Sequence, residues 1–527
     1  MSYRLGIDVG GTHTDAVILD EKKRLVAKTK ARTTPDVMSG IVQALKQILE
    51  QPGVDRHAIK VAMLGTTHCT NAIAERKHLS KVGVIRMGAP ATLAIPPLFS
   101  WPRDLREVVA HTVFTIHGGH EFDGREISEP DQKEIADVVR QLVGKVDAVA
   151  VTAVFAPVNP AHEKSLAQTL QSALGENVPI TLSHEIGSLG LLERENAAIL
   201  NSALMKTAQI AFSGFAEAIA REGLRARLFL GQNDGTLMAL DYALRYPIFT
   251  IASGPSNSLR GGAFLSNLKD AIVVDVGGTT TDVGVLVGGF PRESAIAVDI
   301  GGVRTNFRMP DLISIGLGGG SLVRRKNGHV SVGPDSVGYR LEEEGIVFGG
   351  KTLTATDIAV AMGRTSLGDS KRLANVTQAV AKSVDRLIRK MVENCIDRLK
   401  LSLTGVPVVL VGGGSILLPD EIEGASEIHR PTDYEVANAI GAAIAPVGAE
   451  IDRLFSYTQY SRQEALQEAQ KLALEKARLA GADPNNTEIV ELEEIAMAYL
   501  PEHAVRIKVK AAGPLSPDPA DVRATAS

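Results

Sequence analysis

Short apolar runs alternate along the chain with longer stretches in which apolar residues recur every three or four positions. The short runs predict buried strands, and the periodic stretches predict helices that pack one face against a sheet. From residue 131 to residue 183, helix and strand follow one another, which is typical of an α/β layer. The predicted strands are 3–9, 15–19, 25–33, 60–64, 81–86, 146–154, 178–183, 228–230, 295–300, 407–411, 487–493 and 503–510, with a hairpin at 272–287, and the predicted helices are 36–50, 131–144, 160–174, 189–222, 354–363, 374–400, 434–445 and 462–480.

One stretch stands out because it occurs twice. Residues 275–286 read Asp-Val-Gly-Gly-Thr-Thr-Thr-Asp-Val-Gly-Val-Leu, residues 8–19 read Asp-Val-Gly-Gly-Thr-His-Thr-Asp-Ala-Val-Ile-Leu, and eight of the twelve positions are identical. Each copy predicts a strand, a tight glycine turn and a second strand. The copies lie too far apart for a short-period repeat. We therefore predict a duplicated domain, in which each half opens on a hairpin that points its turn into a shared cleft.

The residues of these turns suit phosphate groups. Gly277 and Gly278 allow a ligand to approach the backbone closely, and their N–H groups, with the hydroxyls of Thr279–Thr281, can cradle phosphate oxygens. Asp275, at the end of its strand, can hold hydrated Mg²⁺, and Asp282 can do the same or orient a water molecule. A single Gly-Gly-Thr turn is more often an ordinary hairpin turn, but two long copies favour the phosphate interpretation. The first copy offers the equivalent residues Asp8, Gly10, Gly11, Thr12 and Thr14.

Composition limits the classes of function. The 527 residues are enough for two or three domains, and the net charge of −5 gives no general attraction to nucleic acid or an anionic membrane. The longest apolar runs are too short and too interrupted to span a bilayer. Cys69 and Cys395 cannot form a disulfide framework. With no signal-peptide pattern at the N-terminus, these features predict a cytoplasmic protein.

Further polar stretches leave alternatives open. Gly412–Ser415 ends a predicted buried strand and invites close approach by a flat or charged ligand. Gly65–Asn71 opens a helix and suits either an anion or simple N-capping. In the long helix, Glu193 and Asn196 face either a cleft or solvent. Three histidines near Asp123 favour a loop with hydrogen-bonded imidazoles over a metal site, because their spacing is not a recognised ligand pattern; these are His111, His117 and His120.

Three glycine signatures in a fixed order, Asp8–Asp15, Asp275–Asp282 and Gly412–Ser415, resemble the actin, sugar-kinase and heat-shock-chaperone ATPase superfamily. The resemblance implies an α/β fold in which two duplicated ribonuclease-H-like domains surround a nucleotide cleft. In that superfamily the first two loops hold the phosphates, which assigns that role to the turn residues named above. The third loop meets the adenosine, a role that falls here to Gly412, Gly413, Gly414 and Ser415.

A narrower resemblance, to the A subunit of the hydantoinase/oxoprolinase family, covers residues 1–450. Its signatures are the ordered stretches 65–72, 193–201, 253–255, 275–282, 315–321 and 332–334. The chain departs from the family after Lys81, where a proline-rich segment replaces a glycine-aromatic run, and at 338–344. The C-terminal region is also shorter than in typical A subunits. Because substrate-facing parts diverge, the substrate does not follow from the resemblance.

The resemblance implies ATP-dependent opening of a cyclic amide or imide, such as a hydantoin or 5-oxoproline. Asp8, Asp275 and Asp282 would be catalytic, with Asp8 and Asp275 as Mg²⁺ ligands. A separate B subunit, and hence a homo- or hetero-oligomer, is expected. The alternatives are a small-molecule kinase with Asp282 as its catalytic residue, and a regulatory partner whose closure ATP controls. The expected domains are 1–190 with a substrate-side insertion at 81–130, 191–450, a small α+β appendage at 451–512, and a disordered tail at 513–527.

Overall fold

The computed structural model describes residues 2–32, 37–294, 297–326, 329–497 and 504–517. The strands are β1 (Tyr3–Val9), β2 (His13–Leu19), β3 (Leu25–Arg32), β4 (Ile59–Gly65), β5 (Val82–Ala89), β6 (Ala110–His117), β7 (Ala148–Ala153), β8 (Ile180–Leu182), β9 (Arg227–Gly231), β10 (Leu237–Ala239), β11 (Ala271–Val276), β12 (Thr281–Val287), β13 (Phe290–Pro291), β14 (Val298–Ile300), β15 (Val303–Thr305), β16 (Leu312–Ile315), β17 (Ser321–Lys326), β18 (His329–Ser336), β19 (Val406–Val411), β20 (Ala425–His429), β21 (Val447–Ser456), β22 (Glu488–Ala496) and β23 (Ala504–Gly513). The α-helices are α1 (Val37–Leu49), α2 (His68–Glu75), α3 (Arg103–Val109), α4 (Gln132–Leu142), α5 (Ala161–Leu174), α6 (Leu191–Arg221), α7 (Leu240–Arg245), α8 (Ser253–Ser266), α9 (Leu341–Glu344), α10 (Ala355–Ala361), α11 (Gln378–Leu399), α12 (Ala437–Ile444) and α13 (Arg462–Leu479).

Two large sheets carry the two predicted hairpins. The first has nine strands in the order β22-β23-β21-β10-β9-β4-β1-β2-β3, and the second has β13-β12-β11-β19-β20 with β16 beside β12. The predicted hairpin of each sheet is confirmed. β1 pairs with β2 and β11 pairs with β12, and both pairs are antiparallel. Apolar side chains of α1 and α6 cover the first sheet, and those of α10 and α11 cover the second. Each hairpin therefore stands on its own hydrophobic core.

Two helices of small residues join the sheets by backbone-to-backbone contact. A Cβ atom on Gly261 of α8 would lie 1.8 Å from the carbonyl oxygen of Ala437, and one on Gly441 of α12 would lie 1.8 Å from that of Asn257. On the first sheet, a Cβ on Gly6 of β1 would lie 2.3 Å from the carbonyl oxygen of Ala439. Glycine is needed at each position because even a methyl group would overlap the opposing backbone. The helix predicted at 434–445 is present as α12 and packs in this close way.

Residues 82–182 form a third sheet, in the order β6-β5-β7-β8, with α4 and α5 against it. This unit extends well beyond the insertion predicted at 81–130. It is tied to α6 by a fully buried ion pair, in which Arg86 Nε donates to Glu195 Oε1 at 2.8 Å. A buried pair of this kind must stay intact, because removing one partner leaves an uncompensated charge.

The C-terminal region contains the helix and strands predicted for the small appendage, and those strands join the first sheet. β21 pairs with β10 and with β23, and β22 pairs with β23. β9 and β10, which follow the predicted domain boundary at residue 190, also lie in the first sheet. Leu515 and Ser516 of the predicted tail are buried. Predicted features at residues 33, 36, 295–296, 503 and 518–527 lie outside the described residues.

Within the described ranges, every helix is too short or too polar to cross a bilayer.

The contact between α8 and α12 yields a stability prediction. Gly261→Ala places a methyl group on the Ala437 carbonyl, so the two helices must separate. We expect the free energy of unfolding to fall by about 2 kcal/mol or more, as for other overpacked sites. Urea denaturation measures this loss as a lower midpoint concentration, provided that the dependence of the unfolding free energy on urea concentration keeps the same slope.

Gly254→Ala is the matched control in the same helix. Its Cβ would meet only the Thr67 side chain, at 4.0 Å. Since alanine favours helix over glycine by about 1 kcal/mol, this variant should be at least as stable as the parent. Equal destabilisation by the two substitutions would contradict the proposed backbone contact.

Candidate nucleotide site

The two hairpins repeat one geometry. Asp8 pairs with Asp15 across β1 and β2, and Asp275 pairs with Asp282 across β11 and β12. The turns close in the same way, since the Gly10 N–H donates to the His13 carbonyl at 3.0 Å and the Gly277 N–H donates to the Thr280 carbonyl at 2.9 Å. The repeated sequence therefore encodes a repeated backbone.

The turns of the two hairpins face each other. A Cβ on Gly278 would lie 1.7 Å from Thr12 Oγ1, and a Cβ on Gly11 would lie 3.2 Å from Thr279 Oγ1. Thr12 and Thr14 are buried, and their hydroxyl oxygens have no hydrogen-bond partner among the described residues. A buried hydroxyl without a partner costs free energy. These two hydroxyls therefore fit a ligand that supplies acceptors, such as phosphate oxygens.

A third glycine loop lies against the second hairpin. Val411, at the end of β19, pairs with Asp275 in parallel register, and a Cβ on Gly412 would lie 2.1 Å from Asp275 Oδ1. A Cβ on Gly414 would lie 2.5 Å from the Gly277 carbonyl oxygen. In the first sheet, Gly65 stands in the same relation to Asp8, with its Cβ position 2.1 Å from Asp8 Oδ1. In both halves, a glycine at the end of the neighbouring strand makes room for the aspartate: Gly65 is the last residue of β4, and Gly412 directly follows β19.

Two of the hydroxyls predicted to meet the nucleotide are engaged within the protein. Thr281 Oγ1 donates to the Leu317 carbonyl at 2.7 Å, and Ser415 Oγ accepts from Arg430 Nη1 at 3.0 Å. Thr279 and Thr280 remain partly or fully exposed in the turn. The side chains available to a phosphate are therefore concentrated in Thr12, Thr14, Thr279 and Thr280.

The carboxylates raise one another's pKa. Asp8 is 5% exposed, and burial together with the negative charges of Asp15 and Asp275 raises its pKa to about 7, although amides of Asn257 and Asn438 oppose the shift. Asn438 Nδ2 donates to Asp8 Oδ2 at 2.9 Å. A cation at this point would relieve the repulsion.

The two aspartates of the second hairpin also have raised pKa values. Burial raises the pKa of Asp275, and the Ser258 hydroxyl, which donates to Asp275 Oδ2 at 2.5 Å, opposes the rise. Burial raises the pKa of Asp282 to about 6, against a hydrogen bond from Ser314. Lys30 supplies the positive charge at the cleft, with Nζ 2.6 Å from Asp15 Oδ1.

Sequence reasoning missed several residues of this site. Asn257, Ser258 and Asn438 contact the aspartates from α8 and α12. The glycine run at 316–320 packs on the second hairpin, where Gly319 and Gly320 N–H groups donate to the Gly277 and Gly278 carbonyls at 3.0 and 2.8 Å. The polar residues in an otherwise small-residue helix are the only sequence signal for the first group.

The three histidines near Asp123 in the sequence do not lie together in the structure. His111 is exposed, and His117 Nδ1 lies 2.9 Å from Glu134 Oε1. His120 instead lies beside His162 and Glu126, and the potential ligand atoms of these three residues lie within 4.8 Å of one another.

A hydrogen bond argues against a metal at this cluster. His162 Nδ1 accepts the Gly119 N–H at 3.0 Å, so the neutral ring carries its proton on Nε2, which donates to Glu126 Oε1 at 3.1 Å. A metal-ligating histidine normally donates through its other nitrogen. The hydrogen-bonded loop is therefore the better interpretation of this segment.

The remaining candidates have mixed outcomes. Asn196 is buried, accepting from Trp101 Nε1 at 2.7 Å and donating to the Arg304 carbonyl at 2.8 Å, which is a structural role. Glu193 lines a cavity of about 730 Å³. At the start of α2, the Thr66 hydroxyl accepts the His68 N–H at 3.2 Å, which is local capping; this contact leaves the anion alternative open.

The paired hairpins, their opposed turns and the clustered carboxylates define an α/β protein in which two sheets bring related glycine turns together. The hydantoinase/oxoprolinase N-terminal region matches residues 4–174, and the hydantoinase/oxoprolinase domain matches residues 194–458. The chain therefore belongs to the hydantoinase/oxoprolinase family, which confirms the predicted resemblance.

Named relatives are distant in sequence. The alpha subunit of caprolactamase from Pseudomonas jessenii is 26% identical over 479 residues, covering 84% of this chain and 65% of the relative. The gamma subunit of acetophenone carboxylase from Aromatoleum aromaticum is 25% identical over 391 residues, covering 68% and 53%. The chain thus spans about half to two thirds of the length of such relatives.

Solved structures confirm the fold class. The ATP-dependent caprolactamase from Pseudomonas jessenii superposes with a TM-score of 0.76 at 20% identity, covering 98% of this chain and 88% of that one. Nucleotide-free acetone carboxylase superposes with a TM-score of 0.69 at 17% identity, covering 97% and 88%.

The opposed turns yield a coupling prediction. Gly278→Ala should destabilise the protein, because the new methyl group overlaps the Thr12 side chain. In a Thr12→Gly background, the atoms that it would meet are gone, so the same substitution should cost little. We expect a coupling free energy of about 1–3 kcal/mol in a double-mutant cycle followed by urea denaturation. Additive effects would show that the two turns do not touch.

Proposed function

We propose that this chain binds ATP and Mg²⁺ between the two hairpins and uses the γ-phosphoryl group to activate the carbonyl oxygen of a cyclic amide. The observation that carries the proposal is the pair of opposed Gly-Gly-Thr turns, with unpartnered buried hydroxyls on Thr12 and Thr14. Asp15 and Asp275 lie close enough to Asp8 to raise its pKa. Hydroxyl and amide donors suit phosphate, and clustered carboxylates suit a divalent cation.

The chemistry follows from the stability of an amide. An unstrained lactam resists water, and its nitrogen is a poor leaving group. Transfer of the γ-phosphoryl group forms a bond between phosphorus and the amide oxygen and breaks the bond to the β-phosphate oxygen, releasing ADP. One water then adds to the activated carbon, and the ring C–N bond breaks, with the nitrogen taking a proton, to leave an acyl phosphate. A second water hydrolyses the acyl phosphate to a carboxylate and inorganic phosphate. The first step depends mainly on positioning and charge neutralisation.

The residues of the cleft divide this work. Thr12, Thr14, Thr279 and Thr280, with the turn amides, would hold the phosphates, and Gly412–Ser415 would meet the adenosine. Asp8 and Asp275 would hold Mg²⁺, which neutralises charge on the phosphates when bound, and Asp282 would orient its water. Lys30, paired with Asp15, would add a fixed positive charge.

The relatives support the reaction class and a partner. Caprolactamase, named for a cyclic amide, and acetone carboxylase, named for a ketone, are both described as ATP-dependent. Both compounds present a carbonyl oxygen, which is the group we propose to be phosphorylated. Several relatives are named as single subunits. We therefore propose that a separate B subunit completes the hydrolysis of a hydantoin-like or 5-oxoproline-like substrate.

Replacing either metal-site aspartate tests the proposal. Asp8→Asn and Asp275→Asn should weaken Mg²⁺-dependent ADP binding more than roughly tenfold, because each removes a charged interaction. Both should abolish ATP turnover and leave the fold intact. Calorimetric titration with ADP, with and without Mg²⁺, measures binding, and mass spectrometry of the products distinguishes an opened amide from a stable phosphorylated compound.

Asp397→Asn is the control, because this aspartate is 74% exposed on α11 and pairs with Lys400. It should leave binding and turnover unchanged. Normal ATP turnover in both cleft variants would refute the metal assignment, and a stable phosphorylated product would favour the kinase alternative.

The raised pKa of Asp8 predicts a pH dependence. Below pH 7 the folded protein holds Asp8 protonated, and a neutral carboxyl group binds Mg²⁺ poorly. The Mg²⁺-dependent gain in ADP affinity should therefore grow as pH rises through about 7 and level off above it. Protonation of ADP itself is the same in titrations of both proteins. The difference in Mg²⁺-dependent ADP affinity between the parent and Asp8→Asn therefore reports the protonation of Asp8 alone. A pH-independent difference would contradict the shift.

A further inference from the structure

The cavity of about 730 Å³ that Glu193 lines is separate from the paired hairpins as far as the structure describes the chain. It lies against β21, between α7 and α13, and the segment 184–190 with residues 293, 294, 297 and 306–308 completes its walls. A ladder of aromatic rings borders it: the centroids of Tyr242 and Tyr246 are 4.8 Å apart, those of Tyr246 and Phe249 5.9 Å, and those of Phe249 and Phe307 6.3 Å. The cavity therefore offers an apolar wall to a ring or chain of carbon atoms.

The less exposed acidic side chains of this cavity already have cationic partners. Glu185 accepts from Arg245 Nη2 at 2.9 Å and from the Tyr246 hydroxyl at 2.8 Å. Asp452 accepts from Arg506 Nε at 2.7 Å. Arg308 pairs with Glu450, Glu293 and Asp234.

Two partly buried cations of the cavity, Lys476 and Arg453, lack such partners among the described residues. Lys476 Nζ donates to the main-chain carbonyl of Glu185 at 3.1 Å and lies 5.9 Å from the centroid of the Phe249 ring. Within the described part of the chain, neither Lys476 nor Arg453 has a carboxylate oxygen within 4.0 Å. Arg453 has a lowered pKa, chiefly through burial.

The two cations also act on each other. Burial lowers the pKa of Lys476 to about 8, and the positive charges of Arg453 and Arg308 add to the effect, while Glu185 and Glu450 oppose it. Two like charges in a partly buried cavity repel, and an anion placed between them would relieve that cost.

We propose that this cavity binds a small organic anion, whose carboxylate or phosphate group pairs with Lys476 and Arg453 while its apolar body lies against Tyr246 and Phe249. The combination of an aromatic wall with a few convergent polar groups is typical of a small-molecule site. This inference does not rest on the proposed function, because none of the hairpin residues takes part in it. The anion is either the substrate itself or a regulator of the nucleotide site.

Matched pairs of compounds test the anionic requirement. Phenylacetate with phenylacetamide, and 5-oxoproline with its carboxamide, differ mainly in charge, and phenyl phosphate tests the phosphate alternative. Calorimetric titration of the full chain should detect binding of at least one anion and much weaker binding of its neutral counterpart. Lys476→Met keeps most of the aliphatic stem and should weaken that binding about tenfold or more.

Lys471→Met is the matched control on the same helix, because Lys471 is 66% exposed and pairs with Glu468. It should leave anion binding unchanged, and ADP binding should be the same in all three proteins. Binding of the neutral compounds as tightly as the anions, equal anion binding by Lys476→Met, or no binding of any anion would overturn the proposal. Phosphate release from ATP, measured with the bound anion present, then shows whether the anion is a substrate or a regulator. An anion that is consumed is a substrate, and one that changes the rate without being consumed is a regulator.

Discussion

The burial of several carboxylates at the ends of neighbouring strands is the constraint on which the rest of the structure depends. Asp8 and Asp15 are 5% and 4% exposed, and Asp275 is close enough to add to the rise in the pKa of Asp8. Lys30 pairs with Asp15 at 2.6 Å, which compensates one charge. Buried charges of one sign destabilise a fold unless a cation joins them. The two hydrophobic cores must therefore offset a cost that protonation of Asp8 or a bound cation reduces.

Glycine backbone is what allows those carboxylates to approach one another. Gly65 and Gly412 leave space for Asp8 and Asp275, and a Cβ at either position would fall 2.1 Å from a carboxylate oxygen. Between the sheets, Gly261 and Gly441 bring α8 and α12 into backbone contact. These helices also carry the amides and hydroxyl that bind the aspartates, so packing and electrostatics are set by the same pair of elements.

Local patterns predicted the two hairpins with their glycine turns, because apolar alternation and the Gly-Gly-Thr turn are both encoded within a few residues. Long-range contacts were not predictable in this way. Asn257 and Asn438 reach Asp8 across 249 and 430 residues of chain, and nothing in their immediate neighbours marks them as partners of that side chain. The pairing of β21 with β10 likewise depends on tertiary packing, so the C-terminal strands read as a separate appendage although they extend the first sheet.

The two halves are alike at the hairpins and unlike around them. The second sheet ends at β20, whereas the first continues through β9, β10, β21 and β23 to β22. That extension carries Arg453, and α13 packs on it to bring Lys476 into the same cavity. Among the described residues, the lining of this cavity includes side chains of β21, β23 and α13 and none from either hairpin. The asymmetric strands are therefore the part of the protein where side chains can change without altering the paired glycine turns.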